Sequence, residues 1–101
     1  MNSNRKTELY RQLMWDYTIS EKEIEDVFSG RKEFAGHYNR FTLFRKILET
    51  YSWFTILQIF SIEEIKELLT EEVIKSLRMA SLRKQYEFVQ KRLQEVIPVT
   101  G

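Results

Sequence analysis

The residues of this chain that could do chemistry are few, and they begin with a single histidine. His37 lies in the segment FAGHYNR, and the sequence contains no cysteine. Catalysis requires a positioned nucleophile, base or metal, and a lone histidine without a recognisable partner is typical of a solvated loop. The sequence also lacks a glycine-rich phosphate loop, a nucleophile elbow and a zinc-ligand spacing. We therefore predict that the protein is not an enzyme and has no catalytic, cofactor-binding or metal site.

A cluster of five glutamates between residues 61 and 72 is the second group that could do chemistry. Carboxylate oxygens are ligands that Mg²⁺ accepts. However, Glu64 can complete a capping box with Ser61, and Glu71 and Glu72 fall in the first turn of a predicted helix, where the helix dipole favours negative charge. The cluster therefore predicts helix starts, and we expect no metal site there.

Cations and aromatic rings are mixed in the segment RFTLFRK, as they are in many single-stranded nucleic-acid sites. The cations include Arg40 and Arg45, and the rings are Phe41 and Phe44. The two phenylalanines also have the spacing of a buried helix face, and a net charge of +1 gives little support for a nucleic-acid surface. We favour a core helix with a basic solvent face, and nucleic-acid contact is the alternative.

Other candidates for partner binding are basic residues of the last predicted helix and large aromatic residues elsewhere. The basic residues can equally keep an outer helix soluble. Trp15 and Asp16, in LMWDY, could anchor either the core or a partner, and we favour the core. The complete set of candidate partner-binding residues is Trp15, Asp16, Arg40, Arg45, Trp53, Phe54, Arg83, Lys84 and Lys91.

Charge is distributed unevenly along the second half of the chain. Residues 61–72 contain five glutamates and one lysine, and residues 75–95 contain six basic and two acidic residues. Because charge runs are mostly solvated faces, we favour mutual attraction of the two segments within the fold. Two separate patches that serve a partner are the alternative.

The elements that position these side chains are predicted to be helices. The chain has only three Gly and one Pro, and good helix formers dominate between them. The segments ISEKEI, FSIEEI and LTEEVI each carry a capping Ser or Thr between apolar staple residues, and Gly30 is a typical helix stop. The sequence predicts an all-α fold, a compact bundle of five or six short helices with a longer C-terminal helix. Their predicted ranges are 7–17, 21–29, 40–50, 52–60, 62–69 or on to 78, and 81–96.

The uncharged stretch YSWFTILQIF, residues 51–60, contains good strand formers. Ser52 can nevertheless cap a helix, with Tyr51 and Ile56 at the staple positions, and a lone strand would have no pairing partner. We predict a short central helix that its neighbours cover. If any of its apolar side chains is exposed, we expect a partner or dimer contact there.

Length and composition bound the class of protein. The 101 residues, 43% of them hydrophobic, predict one domain over 1–101, with residues 1–6 and 99–101 expected to be frayed. The absence of cysteine and of a signal-like apolar segment favours the cytoplasm. The longest uncharged stretch falls short of the roughly 20 apolar residues of a membrane span, so we expect no membrane association.

The motif LMWDY and two later leucine-rich segments give the chain a family resemblance. It resembles the small bacterial helical proteins of uncharacterised function that carry a Leu-Phe-Trp-Asp type start and are often encoded beside an abortive-infection-type nucleotidyltransferase toxin. The matching residues are Leu13, Met14, Trp15, Asp16, Leu43, Phe44, Leu48 and the segment 62–69. The resemblance implies an antitoxin-like component that binds a neighbouring enzyme, and it supplies no catalytic residue.

We therefore expect a protein-interaction module in the bacterial cytoplasm, with the product of a neighbouring gene as its partner and with no cofactor. Such a module would act by occlusion, with an apolar anchor in a pocket and a charged rim. Formation of a homo-oligomer is a further expectation. The alternative function is a small nucleic-acid-binding helical domain that uses the basic residues of its third and last helices.

Overall fold

The computed structural model describes residues 2–14 and 19–96 of the chain. Within those ranges every regular element is an α-helix, which confirms the all-α prediction. The helices are α1 Asn2–Leu13, α2 Glu21–Ser29, α3 Arg40–Thr50, α4 Trp53–Ile59, α5 Ile62–Leu68, α6 Glu71–Ser76 and α7 Ala80–Val96. At 17 residues, α7 is the longest of them, as predicted.

Side-chain caps set the helix starts where the sequence placed them. The Ser20 hydroxyl accepts a hydrogen bond from the Glu23 N–H at 3.2 Å, and the Glu23 carboxylate accepts one from the Ser20 N–H at 3.1 Å. Ser61 and Glu64 form the same box at 3.1 and 2.8 Å. The Thr70 hydroxyl accepts from a main-chain N–H of α6 at 3.2 Å. A new helix therefore begins after Thr70, and α5 does not continue to residue 78.

The first helix differs from its prediction at its start. It begins at Asn2 rather than at Thr7. The ammonium group of Lys6 lies 3.4 Å from the carboxylate of Glu25 in α2, so polar contacts help to hold the first turns, where the sequence shows no apolar spacing. The predicted end of this helix at Tyr17 lies outside the described residues.

The chain divides into two compact units, Met1–Ile59 and Phe60–Gly101. In the first unit, α1 packs on α2 and α4, and α3 packs on the same two helices. The Tyr51 hydroxyl donates a 2.7 Å hydrogen bond to the Leu9 carbonyl, which ties the connection between α3 and α4 to α1. The largest fully buried side chains of this unit are Leu9, Tyr10, Met14, Ile24, Leu43, Phe44, Ile47, Leu48 and Ile56.

The connection between α2 and α3 is a tight turn that depends on two glycines. Gly30 ends α2 with a φ of 87°, and Gly36 has a φ of 62°, both in the left-handed region that favours glycine. Ala35 and Tyr38 exchange backbone hydrogen bonds of 2.8 and 3.0 Å across the turn. A Cβ atom at Gly36 would also lie 2.7 Å from Cδ1 of Ile19, so a larger residue is disfavoured by both conformation and space.

In the second unit, α5 and α6 both pack on α7. Gln90 of α7 donates from Nε2 to the Leu69 carbonyl at 2.9 Å, at the C-terminal end of α5. Apolar side chains fill the space between these helices. The buried residues are Phe60, Ile65, Leu68, Leu69, Val73, Ile74, Leu77, Tyr86 and Leu93.

Candidate functional site

The most exposed large apolar side chain of the described residues belongs to α4. Phe54 is 78% exposed and Leu57 is 37% exposed, and their spacing of three places them on the same face of the helix. Ile56 and Ile59 of the same helix are buried. We call Phe54 and Leu57 the α4 patch. The prediction that neighbours cover this helix is therefore wrong for one of its faces, because only the opposite face packs into the first unit.

A polar edge borders the α4 patch. Gln58 follows Leu57 in sequence and lies one turn beyond Phe54. Its Oε1 atom accepts a 2.9 Å hydrogen bond from Nε of Arg5 in α1, and Arg5 also pairs with Glu8 at 2.9 Å. The patch therefore has an apolar centre with a charged and hydrogen-bonding margin, the arrangement that protein interfaces use.

A second exposed aromatic side chain lies on α7. Phe88 is 64% exposed, and the exposed residues Lys84 and Lys91 lie one turn before and one turn after it. Tyr86 and Leu93, which are buried, face the interior of the second unit. We call Lys84, Phe88 and Lys91 the α7 stripe. The sequence had already identified both lysines as candidates. Phe88 was missed, although it lies two residues after Tyr86 and therefore away from the face of α7 that Tyr86 and Leu93 bury, a spacing that could have revealed it.

Of the other basic candidates of α7 and α3, Arg83 and Arg45 are less available to a partner than Arg40. Arg83 donates from its guanidinium to the Leu77 carbonyl at 2.6 Å and to the Arg78 carbonyl at 3.2 Å. It therefore holds the connection between α6 and α7. Arg40 is exposed at the first position of α3, and Arg45 is half-buried.

The aromatic part of the RFTLFRK segment is turned inward. Phe44 is completely buried and Phe41 is half-buried. Lys46 lies 5.9 Å above the ring of Tyr38, within the same unit. This agrees with the favoured interpretation of a core helix and removes Phe44 from any stacking surface.

Trp53 of α4 is half-buried. Trp15 and Asp16 lie outside the described residues.

With this geometry established, known proteins can be compared. The chain matches no protein-family model, no curated protein and no solved structure. Its functional interpretation therefore depends on the two exposed helix faces.

Neither a metal centre nor a membrane span adds to those two faces within the described ranges. Among the described residues, no three His, Asp or Glu side chains form a group that could hold a metal ion. His37 is exposed in the turn between α2 and α3. None of the described helices combines the length and the apolar character needed to cross a membrane.

The sequence analysis did not identify one acidic side chain that has a structural role. Asp26 of α2 is only 9% exposed, and its carboxylate lies 2.9 Å from Nε of Arg31 and 3.7 Å from Nζ of Lys22. Its carbonyl accepts the main-chain N–H groups of Arg31 and Lys32. The hydrogen bond from Arg31 lowers the pKa of Asp26, and the nearby lysines act in the same direction. Because these partners belong to α2 and the segment after it, the carboxylate organises the turn.

Five exposed charged side chains of the two oppositely charged segments make no ion pair with one another. In the described part of the chain, no ion pair joins Glu63, Glu71 or Glu72 to Lys84 or Lys91. All five side chains are exposed. Mutual attraction of the two segments therefore does not depend on ion pairs between these five side chains, and it stays a prediction for the other charged residues.

Proposed function

We propose that the protein is a protein-interaction module of the bacterial cytoplasm, and that the α4 patch anchors its partner. The observation that carries this proposal is the 78% exposure of Phe54, in a helix whose other face is buried. A large aromatic ring gains more from burial in a partner's pocket than most other side chains do. Exposed apolar groups with a polar rim are typical of such contacts.

The family resemblance supports an extension of this proposal to the partner. It points to an antitoxin-like role toward a nucleotidyltransferase encoded nearby. Five of the residues that carry the resemblance lie outside α5 and within the described ranges. All five are buried, namely Leu13, Met14, Leu43, Phe44 and Leu48. They stabilise the first unit and cannot themselves touch a partner, so we assign the contact to the exposed α4 patch. Occlusion of the enzyme by shape and charge would be the mechanism.

Co-purification tests this proposal. The chain and the product of the adjacent gene are expressed together, with an affinity tag on the enzyme. We expect the wild-type chain to co-elute and the Phe54→Ser variant to be lost from the complex, because the variant removes the apolar anchor. Burial of one such aromatic anchor contributes about 2 kcal/mol or more in many interfaces, a factor of about 30 in affinity.

Phe34→Ser is the matched control, because Phe34 is also an exposed phenylalanine of the first unit, at 50%. It should co-elute like the wild type, and circular dichroism should show both variants folded. Equal co-elution of the wild type and Phe54→Ser would exclude the α4 patch as the anchor. Absence of any complex would exclude this enzyme as the partner.

A small nucleic-acid-binding domain remains the second candidate, and the basic α7 stripe is the observation in its favour. The residues of α3 support a nucleic-acid function less well, since Phe44 is buried and its ring cannot stack on a base. A gel shift with short RNA and DNA over a range of salt concentrations tests it, because phosphate contacts make the affinity fall steeply with salt.

A further inference from the structure

The α7 stripe has a regular geometry. Lys84 and Lys91 are seven residues apart, which separates their Cα atoms by about 10 Å along the helix axis. Phe88 lies between them, four residues after the first lysine and three before the second. Since residues three and four apart share a helix face, the three side chains present cation, ring and cation in a row to the solvent.

Both ammonium groups of the stripe lack an ion pair with any described residue. By contrast, the neighbouring Arg92 lies 3.3 Å from the carboxylate of Glu95. Phe88 likewise has no ring contact with another described side chain. The stripe therefore offers two positive charges and one apolar surface whose interactions are not satisfied within the described part of the chain.

We infer that the α7 stripe docks an acidic segment of a protein, in which an apolar side chain covers Phe88 and two carboxylates pair with Lys84 and Lys91. The geometry defines the complementary sequence. A helical segment that lies along α7 needs Asp or Glu at two positions seven apart, with an apolar residue three or four positions after the first of them. The surface belongs to the second unit, so this inference does not depend on the α4 patch.

The charges around the stripe favour protein over nucleic acid as the occupant. Glu87 and Glu95 are exposed on the same face of the helix as the two lysines, so an occupant that carries a negative charge on every unit, such as a phosphate backbone, is repelled along the stripe. Nucleic-acid affinity depends on several phosphate contacts at once, whereas the whole chain carries a net charge of +1. A protein segment can instead answer each carboxylate of α7 with a cation of its own.

A designed peptide tests the inference directly. The probe is a fluorescein-labelled 18-residue helical peptide of Ala and Gln, with two Glu seven apart and one Leu four positions after the first. Its matched control carries Gln at both Glu positions. Fluorescence anisotropy with the full-length protein at low salt should show binding of the probe, and binding of the control peptide should be at least about tenfold weaker, as expected for loss of two charge pairs.

Variants of the stripe should weaken binding of the probe while leaving the fold intact. We expect a loss of about tenfold or more for Phe88→Ser and for the double variant Lys84→Gln with Lys91→Gln. Lys75→Gln is the control for net charge, since Lys75 is an exposed lysine of α6, and Phe54→Ser controls for the α4 patch. Both should bind the probe like the wild type, and circular dichroism should report the same helix content in every variant.

Three results would overturn the inference. The first is a dissociation constant for the probe weaker than about 1 mM, or one unchanged in the stripe variants. The second is tighter binding of a 15-nucleotide oligo(dT) that the stripe variants abolish, because the stripe would then serve nucleic acid. The third is a dimer in size-exclusion chromatography that Phe88→Ser dissociates, since a second copy of the chain would then occupy the stripe.

Discussion

Asp26 shows how one carboxylate can organise a connection between helices. Its side chain binds Arg31 while its carbonyl accepts the N–H groups of the two residues that follow Gly30. Folding thus places the carboxylate beside the guanidinium of Arg31 and the ammonium group of Lys22. Such an environment stabilises the ionised form, and the stability of this turn becomes dependent on pH.

The Asp26→Asn variant tests that dependence. The pKa of Asp26 lies below its ordinary value of 3.8 in the folded protein, chiefly because of the hydrogen bond from Arg31. The contribution to stability is therefore present above the unfolded-state pKa and is lost as the pH falls through the folded-state pKa. Urea denaturation between pH 7 and pH 2 should show a steeper acid loss of the unfolding free energy in the wild type than in Asp26→Asn.

The Asp26→Asn substitution should also lower the unfolding free energy at neutral pH, because the amide of Asn cannot replace the negative charge beside Arg31 and Lys22. Lys84→Gln is a suitable comparison, since it removes an exposed charge without an ion pair to any described residue. Identical acid profiles for the wild type and Asp26→Asn would show that other carboxylates control acid unfolding.

Tyr86 makes the stability of the folded chain depend on pH in the alkaline range. Burial raises the pKa of its phenol to about 12, because the charged phenolate is poorly solvated in the second unit. The folded-state pKa lies above the unfolded value, so the contribution of the neutral phenol is complete below about pH 10. That contribution is lost as the pH rises through 12.

Ultraviolet titration of phenolate absorbance should therefore show late-titrating tyrosine absorbance that decreases in the Tyr86→Phe variant, and Tyr51, whose pKa burial also raises, should account for part of the remainder. The unfolding free energy of the wild type should fall between about pH 10 and pH 12, and Tyr86→Phe should reduce that fall. Late-titrating absorbance of the same size in the wild type and in Tyr86→Phe would assign the raised pKa to other tyrosines.

At the scale of the helices, the two faces of α4 differ in exposure, although both carry apolar side chains. Ile56 is completely buried and Phe54 is largely exposed. Loss of a buried isoleucine side chain to alanine costs about 2 to 5 kcal/mol of unfolding free energy. Truncation of an exposed side chain is usually within about 0.5 kcal/mol of neutral.

Chemical denaturation of Ile56→Ala and Phe54→Ala separates the two faces. We expect the first variant to be strongly destabilised and the second to unfold at nearly the wild-type denaturant concentration. Comparable destabilisation of both would mean that Phe54 is covered within the folded chain. In that case the α4 patch would not be a free surface.

The helix boundaries could be predicted to a large extent because caps are local. Ser20, Ser61 and Thr70 each reach a main-chain N–H three residues away, so a few consecutive letters contain the whole signal. The box between Asn39 and Thr42, at 2.9 Å in both directions, was not predicted. It has Thr where the usual pattern has Glu or Gln, although it too is a local feature.

The exposed face of α4 could not be predicted in the same way. Phe54 and Ile56 are both apolar, and the helix they share is too short for its apolar spacing to define one inner face. Which of them is buried depends on α1, a helix some 40 residues earlier in the chain. The two lysines of the α7 stripe, in contrast, were identified from charge alone.

For the molecule as a whole, the two candidate surfaces have different characters. The α4 patch is apolar with a hydrogen-bonded edge and belongs to the first unit, whereas the α7 stripe is cationic around one ring and belongs to the second. Binding at the stripe should therefore weaken strongly with added salt, and binding at the patch should depend on it little. This contrast lets one salt series assign a newly found partner to one surface.

The hydrogen bond from Tyr51 to the Leu9 carbonyl has a consequence for synthesis of the chain. A ribosome releases residues from the N-terminus onward, so α1 emerges well before the residues that complete its surroundings. Until α4 has followed, a nascent chain lacks both this hydrogen bond and one of the two helices on which α1 packs. The first unit can therefore close only after residue 59 has left the exit tunnel, and a chain stalled at residue 50 presents the apolar side of α1 to chaperones.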